Sequence, residues 1–169
     1  MMQTAIPTNP VNQKNYRIDS LVGYILLSLA VLALGGWLTY LGMGQWYNEL
    51  RKPSWQPPGW VFSPVWTTLL TLLAIATWRV SGRMDSPMAR VALGLYVIQL
   101  VLNVSWSLLF FALHSPQAAL VEIFLLDLVL IGMVISYSRV CKLAGSLIVP
   151  YAVWLGLATA INIWIVWNN

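Results

Sequence analysis

The sequence predicts an all-α membrane protein, a bundle of five transmembrane helices, and three observations predict it. Of 169 residues, 59% are apolar and only 8% are charged, against roughly 25% charged in a soluble domain. The apolar residues gather into five segments, each close to the 20 or so residues that cross a hydrocarbon core of about 30 Å. Between the first two segments lies Trp46 to Trp66, which holds Trp46, Trp55, Trp60 and Trp66 beside Pro53, Pro57, Pro58 and Pro64. No long helix carries that much proline, because proline lacks an N–H and clashes with the preceding turn.

Residues 1–20 are polar and have neither an apolar core nor a small-residue cleavage site, so they read as a flexible tail and not as a signal peptide. The first span covers about residues 21–41. Gly35 and Gly36 interrupt its middle, where glycine allows either close helix packing or approach of a ligand to the backbone. The Trp/Pro-rich loop, residues 42–60, sits at the membrane surface, where indole rings rest. It serves either as a lid over a pocket or as an interfacial anchor. The second span runs over about residues 61–80, with Pro64 in its first turn, where proline is tolerated.

The third span, about residues 89–113, carries Gln99, Asn103, Trp106 and Phe110 at i, i+4, i+7 and i+11, one helical face. Amides in hydrocarbon need partners. Gln99 reads as interhelical glue, whereas Asn103 suits glue and pocket lining equally. His114, Ser115 and Pro116 form a tight turn into the fourth span, about residues 118–137. Glu122 and Asp127 lie inside that span but point about 140° apart at roughly 100° per residue, so they are not a paired acid and base. The fifth span covers about residues 147–167. Tyr151, Trp154, Ala158 and Asn162 recur on it at i, i+3, i+7 and i+11; the small residue between rings leaves room for a flat ligand or a neighbouring helix.

Composition also excludes chemistry. A single His and a single Cys leave no metal-ligand set, and Cys141 has no partner for an internal disulfide. No nucleophile–base pair, phosphate loop or nucleic-acid motif is present, so no conventional catalytic residue is named and no cofactor is required. The net charge of +4 reports orientation. Seven of the nine Lys and Arg residues fall on the side of the tail, leaving Arg51 and Lys52 opposite. In a bacterial membrane that places the N-terminus in the cytoplasm and the first loop outside.

Three stretches, WYNELRKPSWQPPGWVFSPVW, ALGLYVIQLVLNVSWSLLFF and VPYAVWLGLATAIN, closely resemble the signature segments of the TspO/MBR family, the tryptophan-rich sensory proteins whose animal members are the translocator proteins. The resemblance runs through all five spans. It implies a homodimeric five-helix receptor that binds protoporphyrin IX or haem, and in some members isoquinoline or benzodiazepine ligands, in an aromatic pocket under the first loop. By position it assigns Trp46, Trp55, Trp60, Asn103, Trp106, Trp154, Leu157 and Ala158 to ligand binding, with Trp60 and Trp154 facing the ligand. Some bacterial relatives are linked to light- and oxygen-dependent porphyrin breakdown, which would make Trp60 and Trp154 the reactive pair. Transport of porphyrin or sterol is a third reading. The sterol-recognition pattern that closes the fifth span of the animal proteins is absent here, which argues against sterol binding at that place, and Ala118 stands where those proteins tend to have Trp.

Overall fold

The computed structural model describes residues 10–169, with side chains from Ile18 onward. Six α-helices follow one another: α1 (Pro10–Gly42), α2 (Gln45–Glu49), α3 (Gly59–Ser81), α4 (Pro87–Ser107), α5 (Pro116–Val140) and α6 (Lys142–Asn168). Five of them, all but α2, are long and apolar enough to cross a membrane. Their neighbours place them in a ring, α1 beside α3, then α6, α5 and α4, which returns to α1. Large apolar side chains such as Leu26, Val101, Val121, Leu128 and Val153 cover the outside. A soluble monomer rarely exposes so continuous an apolar surface, and here lipid is the solvent.

The helices outrun the apolar segments because a helix does not stop at the edge of the hydrocarbon. α1 begins at Pro10, so residues 10–20, expected as tail, are helical, and the remainder of that expected tail lies outside the described residues. Pro87 and Pro116 open α4 and α5 in the first turn, where a missing N–H costs nothing. Only Cys141 separates α5 from α6. The loop after α1 is not wholly irregular, since α2 forms a short helix within it. α3 starts at Gly59, earlier than expected, so Pro64 falls past its first turn.

The end of the bundle away from this loop is solidly packed. Ala76 and Val80 on α3, Ala89 and Ala92 on α4, and Ala144 on α6 are fully buried, and such small residues let helices approach closely. Tyr137 fills the space they leave, its hydroxyl 2.9 Å from that of Thr77. Higher up, Gln99 Nε2 and Asn103 Nδ2 on α4 both donate to the Tyr151 hydroxyl on α6, at 2.7 and 2.8 Å. Gln99 is interhelical glue, as its position implied.

α4 does not end as a plain helix. Residues Leu108–Ala112 continue it as one π-helical turn, in which the Leu113 N–H reaches the Leu108 carbonyl at 2.9 Å. The wider turn brings both Phe110 and Phe111 inward, where they are buried. Gly42 lies against the Phe111 carbonyl so closely that no Cβ fits. The chain then reverses at His114, whose φ is 50°.

Candidate ligand cavity

Beneath the α1–α3 loop the bundle is hollow. A cavity of about 360 Å³ opens between the loop-side halves of the five long helices, within the 300 to 1,000 Å³ typical of ligand sites. α1 contributes Val31, Gly35, Gly36 and Thr39 to its wall, and the loop contributes Met43, Tyr47 and Gln56. Gly59, Phe62, Ser63 and Trp66 come from α3; Asn103, Trp106, Ser107, Phe110 and Phe111 come from α4 and its π turn. Ile123 and Leu126 form the α5 side, and Leu155, Ala158, Ile161, Asn162 and Ile165 the α6 side. Gly36, Met43, Gly59 and Ser63 are the exposed members of this wall, so the opening lies between α1 and α3, under the loop.

Among the described residues every side of the wall is uncharged, and most of its amide groups are partnered, although Gln56 Oε1 is buried without a hydrogen bond. Trp106 Nε1 donates to Asn162 Oδ1 at 3.1 Å, and Asn162 Nδ2 donates to the Pro116 carbonyl at 3.0 Å. The Asn103 amide is held by Tyr151, and Thr39 returns its hydroxyl to the Gly35 carbonyl at 2.9 Å. What faces the cavity is therefore aromatic faces, small residues and amides fixed in place, which suits a flat apolar body stacked on rings. Trp106 stacks on Phe110 at 5.0 Å and meets Phe111 edge-on at 5.8 Å. Trp66 stands edge-on to Tyr151 at 5.5 Å.

The structure divides the eight sequence-named residues. Asn103, Trp106 and Ala158 line the cavity together. Trp46 is one layer behind it, stacked on His114 at 4.3 Å and edge-on to Phe110 at 5.9 Å. Trp55 is 49% and Trp60 76% exposed, and neither belongs to the wall. Trp154 and Leu157 line a separate, shallow groove on the flank, with Val65 and Leu69 of α3 and Val149, Pro150 and Val153 of α6. There the Trp154 ring packs edge-on to Phe62 at 5.5 Å. The geometry thus does not set Trp60 and Trp154 as two walls of this cavity.

Helix rotation explains part of the division. From Tyr151, Ala158 and Asn162 fall within roughly 20° of one line along α6 and Leu157 roughly 120° off it, whereas Trp154 is only roughly 60° off, less than the wall residue Ile161, so rotation alone does not exclude Trp154. Trp60 is a helical residue of α3 and lies roughly 120° round from Trp66. Tyr47, Gln56, Phe62, Trp66 and Asn162 were not named from sequence, although Asn162 stood on the recognised α6 face. The two membrane acids are also outside the wall. Asp127 accepts from the Thr159 hydroxyl at 2.9 Å, and Glu122 is buried with neither carboxyl oxygen hydrogen-bonded. Among the described residues no three His, Cys, Asp or Glu side chains gather as a metal site.

Comparison with known proteins agrees with the motifs. The TspO/MBR family model matches residues 24–168. The chain is 38% identical over 156 residues to the tryptophan-rich protein TspO of Chlorobaculum tepidum, covering 92% of this chain and 99% of that one. It is 38% identical over 154 residues to the translocator protein of Sus scrofa, with 88% of each covered. Protein CrtK of Rhodobacter capsulatus is 34% identical over 144 residues, 85% of this chain and 90% of its own.

Proposed function

The chain belongs to the TspO/MBR family, and from that premise we propose that it is a sensory receptor that binds protoporphyrin IX in the cavity under the α1–α3 loop. It is an integral, multi-pass membrane protein. The observation that carries the reading is the wall itself: Trp66, Trp106, Phe62 and Phe110 around small residues, with no charge. A planar macrocycle enters through the side opening between α1 and α3, inserts its apolar edge and stacks on these rings.

Haem fits less well than the metal-free ring. Among the described residues no His or Cys lines the cavity, and Met43 is the sole sulfur in its wall; His114 stands outside that wall, stacked on Trp46. Oxidative breakdown of the pigment, the alternative activity, would draw on Trp66 and Trp106, whose indoles border the cavity, in place of Trp60 and Trp154. For transport, Glu122 and Asp127 would have to couple, yet neither borders the cavity. The charge asymmetry favours a cytoplasmic N-terminus with the loop and cavity mouth outside, and the family resemblance favours a homodimer.

The test uses the purified full chain in detergent or nanodiscs. Protoporphyrin IX should quench Trp fluorescence saturably, and Ala158→Phe, which puts a ring where the cavity is, should weaken binding at least about tenfold, about 1.4 kcal/mol. Trp154→Ala should change it little. If Trp154→Ala abolishes binding while Ala158→Phe does not, the ligand sits on the flank and the cavity reading fails.

A further inference from the structure

Among the described residues no charged side chain lines the cavity, but a cation stands directly behind its wall. Lys52 Nζ lies 4.3 Å from the ring centroid of Tyr47, and Tyr47 is a wall residue. The ammonium is therefore about one ring from the ligand space. It donates to the Leu50 carbonyl at 3.2 Å, which uses one of its three donors. Among the described residues no carboxylate engages it; Glu49, the acid of the same loop, accepts from Gln45 Nε2 at 2.7 Å. The lysine is half-buried, and a cation so placed gains from the ring face but lacks a counter-ion. Beside it, Gln56 reaches the Tyr47 hydroxyl at 3.4 Å and also borders the cavity.

We propose that Lys52 is the specificity-determining cation of this site, the counter-charge for an ionised carboxylate carried on one edge of the cavity's ligand. The inference rests on the cavity being the ligand site, and it adds an orientation. A flat ligand with carboxylate arms inserts its apolar edge toward Trp106 and leaves the arms at the Tyr47–Lys52 corner. An acid pushed the other way would meet only amides and rings, and an unpaired carboxylate in so apolar a place is strongly disfavoured. To meet the acid Lys52 exchanges its bond to the Leu50 carbonyl for one to the carboxylate. The ligand class is thus an amphipathic planar acid, and its neutral esters should lose the advantage.

The experiment compares protoporphyrin IX with its dimethyl ester on the wild-type chain, Lys52→Gln, Lys52→Arg and Ala158→Phe. Wild type should prefer the acid to the ester. Lys52→Gln should weaken the acid about tenfold, the gain expected of a charge-assisted bond, and leave the ester within about twofold. Lys52→Arg should keep most of the preference, and added salt should weaken the acid on wild type more than on Lys52→Gln. Equal loss of acid and ester in Lys52→Gln means that the lysine only shapes the loop, and no loss of the acid means that it does not meet the carboxylate; either overturns the proposal. Ala158→Phe separates this from the parent reading. If it spares both ligands, the cavity is not the site; if it removes both while Lys52→Gln is silent, the cavity stands and the counter-charge falls.

Discussion

The side chain of Asn169 pairs with the backbone of Arg51 as a second peptide strand would. The Arg51 N–H donates to Asn169 Oδ1 at 2.8 Å, and Asn169 Nδ2 donates back to the Arg51 carbonyl at 3.1 Å. The same Nδ2 holds the Ile165 carbonyl at 2.9 Å, and Ile165 lines the cavity. The loop over the cavity is thus clipped at its middle to the end of α6, across 118 residues of sequence.

Removing the clip should loosen the loop without unfolding the bundle. Asn169→Ala deletes exposed hydrogen bonds worth about 0.5 to 1.5 kcal/mol each, so the thermal midpoint should shift little. Amide exchange over residues 50–56 should speed up several-fold, and bound protoporphyrin should dissociate faster. Unchanged exchange in that stretch would show that the loop is held by its other contacts, such as Tyr47 on Phe111 at 5.5 Å.

Two glycines of α1 should respond in opposite ways to the same substitution. A Cβ on Gly42 collides with the backbone of Phe111, whereas one on Gly36 meets nothing within 4 Å. Gly42→Ala must push the π turn away and should cost about 1 to 3 kcal/mol. Gly36→Ala should be neutral or stabilising by up to about 1 kcal/mol, because it lowers the entropy of a helical position. Thermal unfolding in one detergent, with both variants side by side, checks the contrast; equal shifts would remove the claimed contact between α1 and the π turn.

Hydropathy made the five spans legible, since a segment of that length and composition has few other uses, and it made the loop legible through its prolines. The face with Asn103, Trp106 and Phe110 was also readable, because amides are rare enough in a span to mark an interior side. The position of Trp154 was not. In a soluble helix a polar side would have told inside from outside, but here lipid and cavity both prefer apolar groups, so apolarity does not separate the cavity side from the flank groove. Trp60 was read as loop because prolines precede it; Gly59 starting α3 fixes its direction instead. The π turn, which brings Phe110 and Phe111 in together, has no signature in this sequence that simple periodicity could detect.

Glu122 and Asp127 should differ sharply when neutralised. Neither carboxyl oxygen of Glu122 is hydrogen-bonded although the side chain is buried, so its polarity has no visible return. Glu122→Leu, of similar bulk, should be neutral or stabilising by about 1 to 3 kcal/mol. Asp127→Leu strands the Thr159 hydroxyl that now donates to it and should cost about 1 kcal/mol. A large loss of stability in Glu122→Leu would mean that the carboxyl has a partner that the geometry does not place.

Cys141, in the one-residue break between α5 and α6, should titrate early. The backbone N–H of Ala144 in the first turn of α6 is the main influence lowering its thiol below the ordinary range, and Arg79 adds to it against a smaller opposing effect of burial. A thiolate at a helix start, near a cation, is favoured for the same reason as any anion there. The sign follows: thiolate is scarce below the lowered value, appears as pH rises through it, and is more abundant at neutral pH than for the same thiol without these interactions. The rate of maleimide labelling, plotted against pH, should therefore have its midpoint below that of a free thiol, and Arg79→Gln should move it upward. With the charge asymmetry as the guide to orientation, a membrane-impermeant maleimide should reach Cys141 from the face that carries Arg83 and Arg139, and not from the face of the Trp/Pro loop. A midpoint at or above the free-thiol value would remove the Ala144 and Arg79 interactions, and labelling from the loop face would reverse the orientation.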